Sequence, residues 1–138
     1  MTPDEARGRF AGPRVARLAT ADAEGRPHLV PIVFAIAGDT IYSAVDAKPK
    51  RTTALRRLAN VAVNPRVAVL VDHYDDDWSR LWWVRADGTG RVLAPDDPES
   101  GAAVARLAER YAQYREQPPS DQVLAVDVDR WSGWSAAG

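Results

Sequence analysis

Apolar residues recur at alternate positions along most of this chain, and only two long stretches change to the three- and four-residue spacing of a helix. That pattern predicts strands at Val15–Thr20, His28–Ile36, Thr40–Val45, Arg66–Asp72, Leu81–Arg91 and Val123–Trp131. Between the first two, Ala23-Glu24-Gly25-Arg26 has turn chemistry, with Gly25 free to take positive φ, so a hairpin is expected. Gly38-Asp39 marks the next reversal. The helical period first appears at 51–63, where Leu55, Leu58, Ala59 and Ala62 share a face until Asn64-Pro65 stops it. It returns over Ser100–Gln117, with Val104, Leu107, Ala108, Tyr111 and Tyr114 on one side and arginines around the other, until Pro118-Pro119. A short opening helix over Asp4–Phe10 precedes all of this. In the closing strand, Leu124, Val126 and Val128 form one buried face.

Six strands interrupted by two helices at defined points predict a mainly β, antiparallel barrel with helical fillers, since a βαβ array would alternate the two periods regularly. Gly88-Thr89-Gly90 is too short for the dinucleotide fingerprint and lies inside a strand pattern. The length, 138 residues, is that of one domain spanning 1–138. A net charge of -1 gives no global field toward nucleic acid or an anionic membrane. With no cysteine in the chain, disulfides, thiolate catalysis and cysteine-ligated metals are excluded. The longest nearly apolar run, Leu29–Gly38, is half the length a spanning helix needs, and residues 1–11 carry no apolar signal segment, so a cytoplasmic location is expected.

The strongest local anomaly is Lys48, Lys50, Arg51, Arg56 and Arg57, cations within ten residues and without an acid among them. Several sit where a helix begins, and a cation there opposes the macrodipole by about 0.3–1 kcal/mol. An anion would reverse that sign, because first-turn N–H groups, the cationic heads and the hydroxyls of Thr52 and Thr53 together make a phosphate site. A solvated basic face is the alternative reading. Aromatic residues do not interleave the cluster, which argues against a nucleic-acid module.

Five tryptophans, at 78, 82, 83, 131 and 134, are more than a small barrel holds, so some are expected against a second subunit or a ring cofactor. The acidic stretch around Asp75, Asp76 and Asp77 lacks a calcium-loop pattern and reads as a solvated loop. Neither His28 nor His73 has a nucleophile signature beside it, and no metal site is expected. Pro31 inside a strand implies an edge or bulge whose free backbone can bond something else.

In this order, L-A-T-A-D-A-E-G-R-P-H-L-V-P-I-V-F (18–34), K-P-K-R (48–51), N-P-R-V (64–67) and V-D-H-Y-D-D-D-W-S-R-L-W-W-V (71–84) resemble the deazaflavin-dependent branch of the pyridoxamine 5'-phosphate oxidase-like proteins. The resemblance covers about residues 10 to 135. It implies a split β-barrel homodimer that holds coenzyme F420, or FMN in sister branches, and transfers a hydride between that cofactor and a small organic substrate. It implies that backbone at Pro31, Ile32 and Val33 meets the ring, with Ser43 grouped at the same site. Lys48, Lys50 and Arg51 would meet the phosphate and acidic tail, and Trp78 would border the pocket. Counting forward from the third strand picks Lys50 for the phosphate, whereas counting back from N-P-R-V picks Arg57. No catalytic acid is identified; Tyr42 or solvent could supply a proton, and neither is assigned the role. A non-catalytic cofactor carrier or sensor is the competing class.

Overall fold

The computed structural model describes residues 1–45 and 51–138, and for 51–55 the backbone only. Helix α1 (Pro3–Phe10) starts where Thr2 accepts a hydrogen bond from the Glu5 N–H at 3.1 Å, and buries Ala6 and Phe10. Strands β1 (Ala16–Ala21) and β2 (Pro27–Ile32) form the expected hairpin. Its turn is held by the Asp22 carboxylate, which accepts from the Glu24 and Arg26 N–H groups, and Gly25 takes φ 81°. Strands β3 (Ala35–Ala37) and β4 (Thr40–Ala44) follow, then α2 (Arg51–Val63) and β5 (Arg66–His73). After a single 3-10 turn at Trp78–Arg80 come β6 (Trp82–Leu93), α3 (Pro98–Arg110), α4 (Ala112–Glu116) and β7 (Val123–Ser135).

All seven strands pair antiparallel in one sheet of order β2-β1-β5-β6-β7-β4-β3. The two edge strands, β2 and β3, are separated in sequence by Val33 and Phe34 alone. A two-residue link between opposite sheet edges forces the sheet to curl on itself, which makes it a split barrel. The predicted strand His28–Ile36 is therefore two strands on opposite edges. Side chains on both faces are apolar here, Ile32, Phe34 and Ile36 toward the barrel core and Val33 and Ala35 toward the helices, so the uniform run carried no sign of the crossing.

Phe34 is fully buried at that crossing, its ring edge-on to Phe10 at 5.1 Å, and Phe10 in turn meets Trp131 at 5.2 Å. The expected single buried face of the last strand is also revised. Leu124 and Val126 face the barrel core, but Val123 and Ala125 are buried too, with Tyr42, Leu93 and Ala103 of α3. A helix covers the second face. A register shift at Asp87/Gly88 bends β6, and a side chain at Gly88 would collide with the Asp127 carbonyl.

The long predicted helix over 100–117 begins earlier, at Pro98, and is capped by Asp97 through the Glu99 N–H at 2.9 Å. It also breaks at Tyr111, whose backbone is extended at φ −121° and ψ 116°. Among the described residues no helix is long and apolar enough to cross a membrane.

Helix α3 is fixed to the sheet by one ionic network. Arg91 donates to both Glu99 carboxylate oxygens at 2.7 Å and to Asp127 at 2.6 and 3.0 Å. Tyr42 donates to Glu99 at 2.7 Å, and Thr40 donates to Asp127 at 3.1 Å. Arg91, and secondarily the Tyr42 hydroxyl, hold the Glu99 carboxyl down to about 2. In the unfolded chain that carboxyl takes up its proton near its ordinary 4.5, so its stabilising contribution is complete above that pH and is lost as pH falls toward 2. Chemical denaturation over this acid range is expected to show a smaller pH slope for Glu99→Gln than for the wild type. Equal slopes would remove Glu99 from the acid response.

Candidate functional site

Among the described residues strand β2 pairs only with β1, so one side of its backbone has no ladder partner there. Pro31 is tolerated on such an edge, as expected. Its side chain is exposed opposite Arg17, Ile32 turns into the core, and Val33 packs with Ala35, Ala44, Leu107 and Tyr114. The register Ala35 to Tyr42 and the shared cluster of Val33 and Ala44 bring the link after Pro31 beside the C-terminal end of β4. Ser43, buried and paired with Leu124, lies at that same end. Val33 and Ser43 thus come near each other along the backbone where the chain leaves β4 toward α2, with the Ser43 side chain on the strand face opposite Ala44.

Lys48 and Lys50 lie outside the described residues, as does the side chain of Arg51, which starts α2. No acid stands in the first turn of that helix. Leu58 and Val61 anchor α2 in the core, and the Asn60 amide donates to the Thr20 hydroxyl at 3.0 Å in a buried bond. Arg57 precedes Asn60 and Val61 by three and four residues and so shares their sheet-facing side, half-buried, whereas Arg56 is exposed. His28, half-buried, stands opposite Thr20 in the hairpin, and its Nδ1 is buried with no hydrogen-bond partner among the described residues. Polar capacity is therefore present beside the barrel-facing side of α2.

Trp78 does not join this convergence: it is 75% exposed and lines neither the outer groove nor the small cavity beside Val33. Its loop is held by its own carboxylates, with Asp75 accepting from the Asp77 N–H at 2.7 Å and Asp77 from the Ser79 N–H and hydroxyl. These bonds hold both carboxyls below the usual carboxylate range. Among the tryptophans, Trp131 is buried and Trp82 packs on the core, while Trp78 and Trp134 stay exposed.

Sequence reasoning missed a groove of about 530 Å³ on the outer face of β2, β1, β5 and β6. Leu29, Leu70, Tyr74 and Trp83 make its apolar surface, and Arg17, Asp72 and Arg85 its polar rim. The register sets Pro31, Arg17, Leu70 and Arg85 side by side across four strands, so Pro31 flanks this groove. Leu29 and Leu70 on faces that alternation assigns to solvent were the available signal.

Among the described groups at this end of β2 and β4, Tyr42 is not a free proton donor. Burial and the Glu99 carboxylate push the Tyr42 hydroxyl up to about 12, and its proton is committed to Glu99. Tyr42 is therefore unsuited to donate a proton to a substrate.

The family model described as pyridoxamine 5'-phosphate oxidase matches residues 2–135. Among solved structures, an FAD-binding protein from Mesorhizobium loti superposes with TM-score 0.73 at 22% identity, covering 96% of this chain and 94% of that one. The FAD-binding protein of Mycobacterium smegmatis gives TM-score 0.67 at 19% identity, over 97% and 95% of the two chains. The heme storage protein HutZ of Vibrio cholerae gives TM-score 0.72 at 17% identity, over 98% and 95%. At these identities the likeness is one of fold. No curated protein matches the chain.

Proposed function

Because the chain belongs to the pyridoxamine 5'-phosphate oxidase family, we propose that it is an oxidoreductase that passes a hydride between coenzyme F420 and a small organic substrate. Two observations support this reading: the first turn of α2 holds no acid and follows Lys48 and Lys50 in sequence, and β2 is an edge strand. Lys48, Lys50, Arg51 and Arg57 offer more positive charge than a single phosphate requires, which favours a cofactor with a phosphate and a polyglutamate tail. The donor set fits such a group: unpaired edge backbone at Pro31–Val33 for ring carbonyls and an imide, the buried Ser43, and the unpartnered His28 Nδ1. When bound, the deazaflavin supplies the hydride chemistry. The cations between 48 and 57 would bind the anionic tail, the backbone at Pro31–Val33 would meet the ring, and the apolar cluster around Val33 would exclude water. Trp78, exposed on its own subunit, would border the pocket only from a neighbouring one.

A flavin in the same place is the runner-up, supported by the FAD-binding relatives of this fold. A carrier that binds without turnover is the second class. Oxidation of reduced F420, followed by its visible absorbance across a panel of enones, quinones and nitroaromatics, separates these readings. Turnover with any member supports the enzyme; silence across the panel, with cofactor bound, would leave a carrier.

The proposal includes a homodimer in which a second copy covers the outer groove. Leu29 is 67% exposed there, and a rim carrying both charge signs suits a two-fold pairing of arginine with aspartate. Wild-type protein is expected to sediment as a dimer at micromolar concentration, and Leu29→Asp as a monomer of unchanged fold. A wild-type monomer would overturn this part of the reading.

A further inference from the structure

The crossing from β2 to β3 leaves Phe34 without a ladder partner on either strand, yet both of its buried backbone polar groups must be satisfied. One phenol does this. The Phe34 N–H donates to the Tyr111 hydroxyl at 3.2 Å, and that hydroxyl donates to the Phe34 carbonyl at 3.1 Å or the Arg14 carbonyl at 2.9 Å. Tyr111 reaches this position because the chain is extended there, between α3 and α4. The neighbouring Arg110 stacks over the Phe34 ring at 4.8 Å and donates to the Ala11 carbonyl at 2.8 Å, so the latch also ties down the chain ahead of β1. A helix continuing through Tyr111 would carry the phenol elsewhere.

Val33, the residue between this latch and the open β2 edge, packs on the same buried cluster as Tyr111 and lines a cavity of about 110 Å³ with Tyr111, Gln113 and Tyr114. Of the three backbone positions that would meet a cofactor ring, Val33 is the one without a regular strand around it. Resting on the cofactor reading above, we propose that Tyr111 is a positioning residue, whose hydroxyl sets the path of Val33–Phe34 and so the cofactor-facing backbone of Pro31–Val33. It touches no cofactor itself. Its effect passes through the amide and carbonyl of Phe34, which is why removal of one oxygen atom should alter binding while the barrel stays closed by the buried Phe34 ring.

The test is Tyr111→Phe, which keeps the ring and removes the hydroxyl, beside Thr40→Val, which removes one hydrogen bond of similar exposure at the far end of β4. In the protein without cofactor, amide exchange at Phe34 is expected to quicken in Tyr111→Phe and stay slow in Thr40→Val. Titration with F420 and with FMN is expected to show affinity for the bound cofactor reduced about five- to tenfold in Tyr111→Phe only, the size of one lost hydrogen bond. The absorption band of the bound cofactor should also shift toward that of the free one. A structural role alone would lower the melting temperature of both variants alike and leave the band unmoved. Wild-type affinity and band shape in Tyr111→Phe would overturn the positioning role while leaving the cofactor reading intact. A wild type that binds neither cofactor would overturn both.

Discussion

Lys50→Ala is expected to weaken cofactor affinity ten- to a hundredfold. A charge-assisted hydrogen bond to phosphate contributes about 1.5–3 kcal/mol, which converts to that range. The loss should be greatest at low ionic strength, where the screening length is longest. Stability of the protein without cofactor should hold or rise slightly, since a cation near a helix start opposes the dipole, whereas the ligand-derived stabilisation of the loaded protein is lost. Arg57→Ala is the matched comparison. Arg57 is half-buried on the sheet-facing side of α2, so its removal should also cost packing from the aliphatic stem. If Arg57→Ala abolishes binding and Lys50→Ala does not, the phosphate sits further along α2. If neither matters in a titration at low salt, the cluster is a solvated face.

Phe34→Ala carries the largest expected effect on folding, about 3–5 kcal/mol. Its side chain is fully buried, meets Phe10 edge-on, and sits under Arg110 at the two-residue link between the two sheet edges. Such a loss is a large share of the roughly 5–15 kcal/mol that holds a domain folded. The melting temperature should fall by about 10–20 °C, against a change within about 2 °C for Trp78→Ala, whose ring is exposed. Equal melting temperatures for the two variants would mean that the barrel is not closed through Phe34.

How legible this was in the sequence depended on whether the signal was local. The hairpin at Asp22–Arg26, the period change at α2 and the stop at Asn64-Pro65 rest on turn chemistry and spacing within a few residues, and the structure has each where expected. The edge position of β2 followed from Pro31. The crossing at Val33–Phe34 was hidden because changing sheet edge does not alter the in-out alternation. Tyr111 was read as one more residue on the apolar side of a long helix, since nothing near it in sequence marks the break; its partners are the carbonyls of Arg14 and Phe34 and the Phe34 N–H. The same distance hid the Arg91, Glu99 and Asp127 network, whose members are spread over β6, α3 and β7. For the candidate site, the sequence named Val33 and Ser43, whose backbones come near each other at the end of β4, and Trp78, which stands apart within one subunit.

The most direct test is a titration of the wild-type protein with F420 and, separately, with FMN, followed by fluorescence at low and at physiological salt. Tight F420 binding that weakens as salt rises, with FMN clearly weaker, is the expected result. Tight FMN binding with no measurable F420 binding would contradict the deazaflavin assignment.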